Sequence, residues 1–277
     1  MKQLEVRFIT YKNSRIYRYR FGSGNQPVIC FHGYGESGSN FSFLEEYAKD
    51  QFTFIAIDLP FHGKTEWNEG LDFGWKDLQT IIEIIFAEND KQEIKNNKPI
   101  LLGFSLGGRM ALSFYQAIPG QVKKVILLAP DGLKVNFWYW LSTQTWLGNK
   151  FFYFTMHYPG WFFGFLKALK GLNLVNASVF KFVKHYIDNK EVRLELYNRW
   201  TGSRKLKPNL SKIKSLVIQH KTPLQLVYGR HDRIILSSVG EKFRRGIEDH
   251  CSISIIESGH QVLHEKHVKE IINQLVS

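Results

Sequence analysis

The 277-residue chain has only two cysteines, Cys30 and Cys251, both inside apolar, strand-like runs. That scarcity excludes a disulfide-stapled scaffold and predicts two reduced, buried thiols in the cytoplasm. No apolar run approaches the roughly 18 residues that a membrane-crossing helix needs. The opening stretch, MKQLEVRFITYKNSRIYRYR, has no apolar block before a small-residue cleavage site, so no signal peptide is expected. The chain carries 37 Lys and Arg against 25 Asp and Glu, a net charge of +12. Its basic residues form no block and no aromatic–basic RNA motif, which argues against a nucleic-acid partner. Internal repeats and low-complexity tracts are absent too. One local absence is sharper: between Lys134 and Ile187 there is no Asp or Glu at all.

What is present is a series of short apolar runs. Residues 3 to 10 and 15 to 21 alternate and read as an edge hairpin turning at Asn13 and Ser14. PVICF (27–31), FTFIAID (52–58), PILLGF (99–104), KVILLAP (124–130), LQLVYG (224–229) and SISIIE (252–257) follow. The continuous runs suit strands buried on both faces. Between them, Leu78, Ile81, Ile82 and Ile85 share one helical face, as do Val268, Ile271, Ile272 and Leu275. This alternation predicts an α/β protein with a mostly parallel eight-stranded sheet and helices on both faces. Residues 131–211 break the rhythm: they hold aromatic-rich helical patches and no convincing strand. The expected division is a core of 1–130 and 212–277 carrying a helical insertion at 131–211.

Ligands of such sheets sit at the carboxyl ends of the strands, and the chemically suspicious residues fall there. LLGFSLGGRMAL (101–112) places Ser105 between Gly103 and Gly107, at the joint of a strand and a helix. Serine is a weak nucleophile that needs a base and a place for negative charge. A G-x-S-x-G turn projects the hydroxyl above the sheet, with the first N–H groups of the new helix beside it. In chain order, VYGRHDRII then offers Asp232 and IIESGHQVLHE offers His260, each just past a strand. Either alone could be an ordinary loop residue; three at strand ends in the order serine, acid, histidine point to a triad. FHGYGESGSN (31–40) follows the third strand, and the backbone N–H groups of Tyr34 and Leu106 are the candidate oxyanion donors. His32 reads first as a brace for that loop and second as a substrate contact.

These pieces, CFHGYG, AIDLPFHGKT, LLGFSLGG, VYGRHD and SGHQVLHE, stand in the order and spacing of the α/β-hydrolases, which the chain resembles over most of its length. The resemblance implies that Ser105 is the nucleophile, His260 the base, Asp232 the orienting acid and 131–211 a lid. Some members take their acid from the strand end before the lid, where Asp131 sits. A serine at the elbow sets the chain apart from the family's dehalogenases and epoxide hydrolases, which use a carboxylate. The sequence departs from the family's common DLPGHG wording at Phe61.

Other chemistries fit poorly. FHGKT lacks the glycine that a phosphate loop needs at position 58, which is Asp58. His260, His264 and His267 lack metalloprotease spacing, so no metal and no cofactor is expected. A ligand binder without catalysis would have dropped a triad member. Arg109, directly after SLGG, reads as an exposed arginine in the first turns of its helix; the alternative is an anchor for a substrate carboxylate. The menaquinone-pathway lyase of the family has a similar S-x-G-G-R stretch, and the carbon–carbon bond hydrolases are a further relative. The favoured reading is a serine hydrolase of carboxylic esters or related apolar acyl compounds, working through an acyl-enzyme.

The lid segment has more rings than one helical face can bury: Phe137, Trp138, Tyr139, Trp140, Phe151, Phe152, Tyr153 and Phe154, then Trp161, Phe162, Phe163 and Phe165. Some should line a pocket for a medium-length or aromatic acyl group, and Trp138 is taken as such a substrate contact. Mixed with Lys134, Lys150, Lys167, Lys170, Lys181 and Lys184 and no acid, they also suit an anionic membrane surface.

Overall fold

The computed structural model describes residues 5–48, 50–88, 96–171 and 187–277. Residues 3 and 4 of the expected first strand lie outside these, as do Lys181 and Lys184. Eight strands form one sheet: β1 (Glu5–Tyr11), β2 (Ser14–Phe21), β3 (Gln26–Phe31), β4 (Phe52–Ile57), β5 (Ile100–Phe104), β6 (Lys124–Leu128), β7 (Leu224–Gly229) and β8 (Cys251–Ile256). Their spatial order is β1-β2-β4-β3-β5-β6-β7-β8. β1 pairs antiparallel with β2, and β2 antiparallel with β4. Every later pair is parallel, with Ile29 of β3 opposite both Ile55 of β4 and Leu101 of β5.

The reason for the uninterrupted apolar runs is visible in the packing. Strand side chains alternate between faces, and each face has its own core. Ile29, Phe31, Ile55, Leu101, Val125 and Leu226 join one apolar cluster. Their neighbours Val28, Cys30, Phe54, Leu102, Ile126 and Val227 join the other. On the first face lie α2 (Trp75–Ala87), which buries Leu78, Ile81, Ile82 and Ile85, and α3 (Leu106–Ala117), buried from Leu106 to Tyr115. The five-residue helix α1 (Leu44–Ala48) buries Leu44 in the second cluster. Asp77 begins α2 by accepting from the Gly74 N–H at 2.9 Å, which satisfies an otherwise orphaned donor.

The chain divides into two compact units. The first comprises Met1–Glu69, Phe73–Lys134 and Lys205–Ser277; the second comprises Gly70–Asp72 and Val135–Arg204. The second is therefore narrower than the insertion expected at 131–211, and it recruits three residues from far upstream. Its described helices are α4 (Phe137–Gln144), α5 (Trp146–His157), α6 (Gly160–Gly171) and α7 (Lys190–Gly202). Asn136, Thr145 and Asn189 cap α4, α5 and α7 with their side-chain oxygens. A small core of Met156, Ile187 and Tyr197 holds this unit. Buried Arg193 binds it further, donating to the carbonyls of Met156, Ile187 and Asp188.

The first unit is completed by α8 (Leu210–His220), α9 (Ser237–Arg244) and α10 (Val268–Val276). α10 buries Val268, Ile271 and Leu275 in the second cluster, with Ile272 half-buried beside them. Among the described residues no helix is long and apolar enough to cross a membrane.

Candidate active site

Ser105 stands between β5 and α3 with φ of +49° and ψ of −114°, a conformation that is costly for a residue with a Cβ. Three hydrogen bonds hold it there. Its N–H donates to Leu128 O at 2.9 Å, and its carbonyl accepts from Gly108 N at 2.9 Å and Asp131 N at 2.8 Å. The flanking glycines answer to close approach. A Cβ at Gly107 would lie 1.9 Å from the Phe31 carbonyl oxygen, and one at Gly103 would lie 2.5 Å from the Gly107 oxygen. The helix thus begins tight against the end of β3, which no larger residue permits.

The Ser105 Oγ lies 3.0 Å from His260 Nε2, and His260 Nδ1 lies 2.8 Å from Asp232 Oδ2. Asp232 follows β7, and its side chain is fully buried. Its other oxygen accepts the N–H groups of Ile234 and Ile235 at 2.7 and 3.0 Å, which fixes the carboxylate beside the imidazole. With Asp232 accepting the Nδ1–H, Nε2 is left as the acceptor for the serine hydroxyl. His260 sits on the loop after β8. That loop reaches β7 because Gly229 has no side chain: a Cβ there would fall 2.0 Å from Gly259 O. The Phe104 ring packs 5.6 Å from the imidazole.

The loop after β3 carries Tyr34, and Leu106 is the first residue of α3, where an N–H has no acceptor one helical turn back. Glu36 makes two of the contacts that hold that loop. The carboxylate of Glu36 accepts from Gly33 N at 3.1 Å with one oxygen and from Gln261 Nε2 at 2.9 Å with the other. Glu36 therefore ties the β3 loop to the His260 loop. Neither residue stands out in the sequence, since a glutamate among polar loop residues gives no signal.

His32 takes the position of the loop brace. It is fully buried, with Nε2 accepting from Leu59 N at 3.0 Å and Nδ1 directed at Gly33 O at 2.7 Å. Both nitrogens are spent on backbone, which braces the loop. Arg109 differs from the first of its sequence readings. It is buried, not exposed, and it meets Asp131 at 2.5 Å. Asp131 in turn accepts from its neighbour Gly132 N at 2.7 Å, whereas the carboxylate that meets His260 is that of Asp232. Trp138 lies on α4 in the second unit, 69% exposed, with its ring edge-on to Phe137.

The FHGKT loop has a structural centre. Asp58, fully buried, accepts from Gly38 N and Lys64 N at 2.7 Å each and from the Tyr19 hydroxyl at 3.1 Å. Burial and the Asp58 carboxylate push the Tyr19 hydroxyl up to about 12, so it stays a donor. Phe61 occupies the left-handed region at φ +64°. Among the described residues no group of three His, Cys, Asp or Glu side chains could hold a metal ion.

Comparison with known proteins places this site in context. The profile of the alpha/beta hydrolase fold family matches residues 26–267. The chain is 23% identical over 283 residues to the uncharacterized hydrolase YugF of Bacillus subtilis, an alignment spanning 94% of this chain and 92% of that one. A shorter match, 30% over 105 residues, covers 38% of this chain and 36% of a Bacillus subtilis protein named for 2-succinyl-6-hydroxy-2,4-cyclohexadiene-1-carboxylate synthase activity. Among solved structures, the serine hydrolase CarC of carbazole degradation superposes with a TM-score of 0.64 at 21% identity, covering 99% of this chain and 98% of CarC.

Proposed function

The chain belongs to the alpha/beta hydrolase fold family, and we propose that within it the protein is a serine hydrolase of carboxylic esters or related apolar acyl compounds. The observation that carries this reading is the continuous relay from Ser105 Oγ to His260 Nε2 at 3.0 Å and from His260 Nδ1 to Asp232 Oδ2 at 2.8 Å. In the proposed reaction Ser105 Oγ attacks the substrate carbonyl while His260 takes its proton. Asp232 keeps the imidazole in the tautomer that can do so and stabilises the imidazolium. The N–H groups of Tyr34 and Leu106 receive the developing oxyanion; donors of this kind contribute about 3 to 4 kcal/mol each in the transition state. His260 then gives the proton to the departing alcohol, and water, activated by the same histidine, releases the acid. No cofactor enters the scheme.

The lyase and carbon–carbon hydrolase alternatives draw on the same triad and on the short match to the synthase-named relative. Arg109 was their candidate for holding a substrate carboxylate. Its burial and its pairing with Asp131 support the ester reading over these. Burial raises the thiol of Cys30 and pushes that of Cys251 up to about 12, so neither competes with Ser105 as a nucleophile.

A fluorophosphonate probe with mass-spectrometric site mapping, combined with p-nitrophenyl acetate turnover, tests the proposal. Label is expected on Ser105 alone, and Ser105→Ala should lose about 10⁴- to 10⁶-fold in kcat. Asp232→Asn should lose about 10³- to 10⁴-fold, because the amide favours the wrong tautomer, while Asp131→Asn keeps most of the rate. An alanine variant retaining more than about a tenth of the activity would overturn the assignment of Ser105.

A further inference from the structure

Helices α5 and α6 have an unusual outward side. Leu147, Phe151, Phe154 and Tyr158 recur at spacings of four, three and four, so they form one stripe, and they are 71%, 55%, 48% and 65% exposed. Trp161 and Phe165 of α6 extend it, since the rings of Phe151 and Trp161 are 4.9 Å apart. The inward side of the same helices is occupied by Thr155, Met156 and Leu166, all buried. These helices are therefore packed normally within their unit, and the aromatic surface is what they present outward. Contiguous exposed apolar surface of this kind marks an interaction site.

The charge around it selects the partner. Lys150 of α5 and Lys167 of α6 are exposed, and the Lys150 ammonium stands 4.0 Å from the centre of the Trp146 ring. The whole stretch from Lys134 to Ile187 contains no Asp, Glu or Arg. Protein interfaces favour arginine and deplete lysine, and a second copy would set lysine against lysine with no acid between them. Exposed aromatic rings with Lys150 among them, on a segment without acids, match a sheet of anionic headgroups over an acyl boundary. We propose that the outward face of α5 and α6 docks on the surface of an anionic lipid bilayer, lying in its interface and not crossing it. The proposal stands independently of the ester chemistry.

Co-sedimentation of the full chain with vesicles of phosphatidylcholine, or of equal parts phosphatidylcholine and phosphatidylglycerol, tests it. The anionic vesicles should bind at least about tenfold more protein, and Lys150→Gln should weaken that binding about fivefold. Phe154→Ser and Trp161→Ser should each weaken it by more than about tenfold. Raising the salt should release the protein. These are exposed positions, so melting temperatures should stay close to the parent; if a ring variant melts early, Lys150→Gln carries the test. Equal binding to neutral vesicles, no binding to either, or binding untouched by the substitutions would overturn the proposal. So would light scattering that showed a dimer dissolved by the same substitutions, which would assign the face to a second copy.

Discussion

At position 61 the backbone turns with φ +64°, a region in which a side chain costs about 1 to 2 kcal/mol. Here the phenyl ring packs, half-buried, against the larger core cluster, which offsets the strain. Two substitutions separate these terms. Phe61→Ala keeps the strained backbone and loses the ring; Phe61→Gly loses the ring and relieves the strain. Chemical denaturation should therefore find Phe61→Gly more stable than Phe61→Ala by about 1 kcal/mol. Equal stabilities would mean that the left-handed turn costs nothing at this position. Ser105 shares the positive φ, yet there the strain serves to lift a hydroxyl toward His260.

At the scale of elements, the candidate site is an agreement among loops at the ends of β3, β5, β7 and β8. Each loop is held by contacts remote from the reacting atoms. Glu36 is the clearest case, because its two oxygens grip the backbone of the β3 loop and the side chain of Gln261. Releasing it should let the Tyr34 N–H drift from the oxyanion and the His260 loop drift from Ser105. Displacements of about 1 Å can cost 10²-fold in rate. Glu36→Ala is accordingly expected to lower kcat for p-nitrophenyl acetate by about 10- to 100-fold, with fluorophosphonate labelling slowed in parallel and KM little changed. A variant whose kcat matched the parent would show that the two loops hold their geometry without this tie.

For the molecule as a whole, stability against pH has a legible contributor. His267, between the His260 loop and α10, is buried with no hydrogen-bond partner for Nε2 among the described residues. Burial lowers its pKa, Lys266 and His264 lower it further, and Glu270 opposes them. The folded group therefore gives up its proton more readily than the unfolded one, whose pKa is about 6.5. Above that value both states are neutral and the stability is complete. As the pH falls below it, the unfolded chain binds the proton first and stability declines. Urea unfolding at pH 7.5 and 5.5 should show a smaller loss for His267→Gln than for the parent. An identical loss would assign the acid sensitivity to other groups.

The eight strands, their order along the chain and the elbow at Ser105 were determined by the sequence itself, because strand periodicity and a glycine-flanked turn are local properties. Asp232 and His260 were legible for a related reason: each follows directly on an apolar run, and a parallel sheet collects such ends on one edge. What tertiary structure decided are the partnerships. Arg109 reads as a surface cation until folding brings Asp131, 22 residues away, against it. His32 has two readings until Leu59 N and Gly33 O claim its nitrogens. Glu36 and Gln261 lie 225 residues apart, and neither carries a local mark of the bond they make. Periodicity reports which face of an element is apolar, but a hydrogen bond or ion pair depends on distances in space. Those distances exist only after the strands have paired and the loops have closed over their ends.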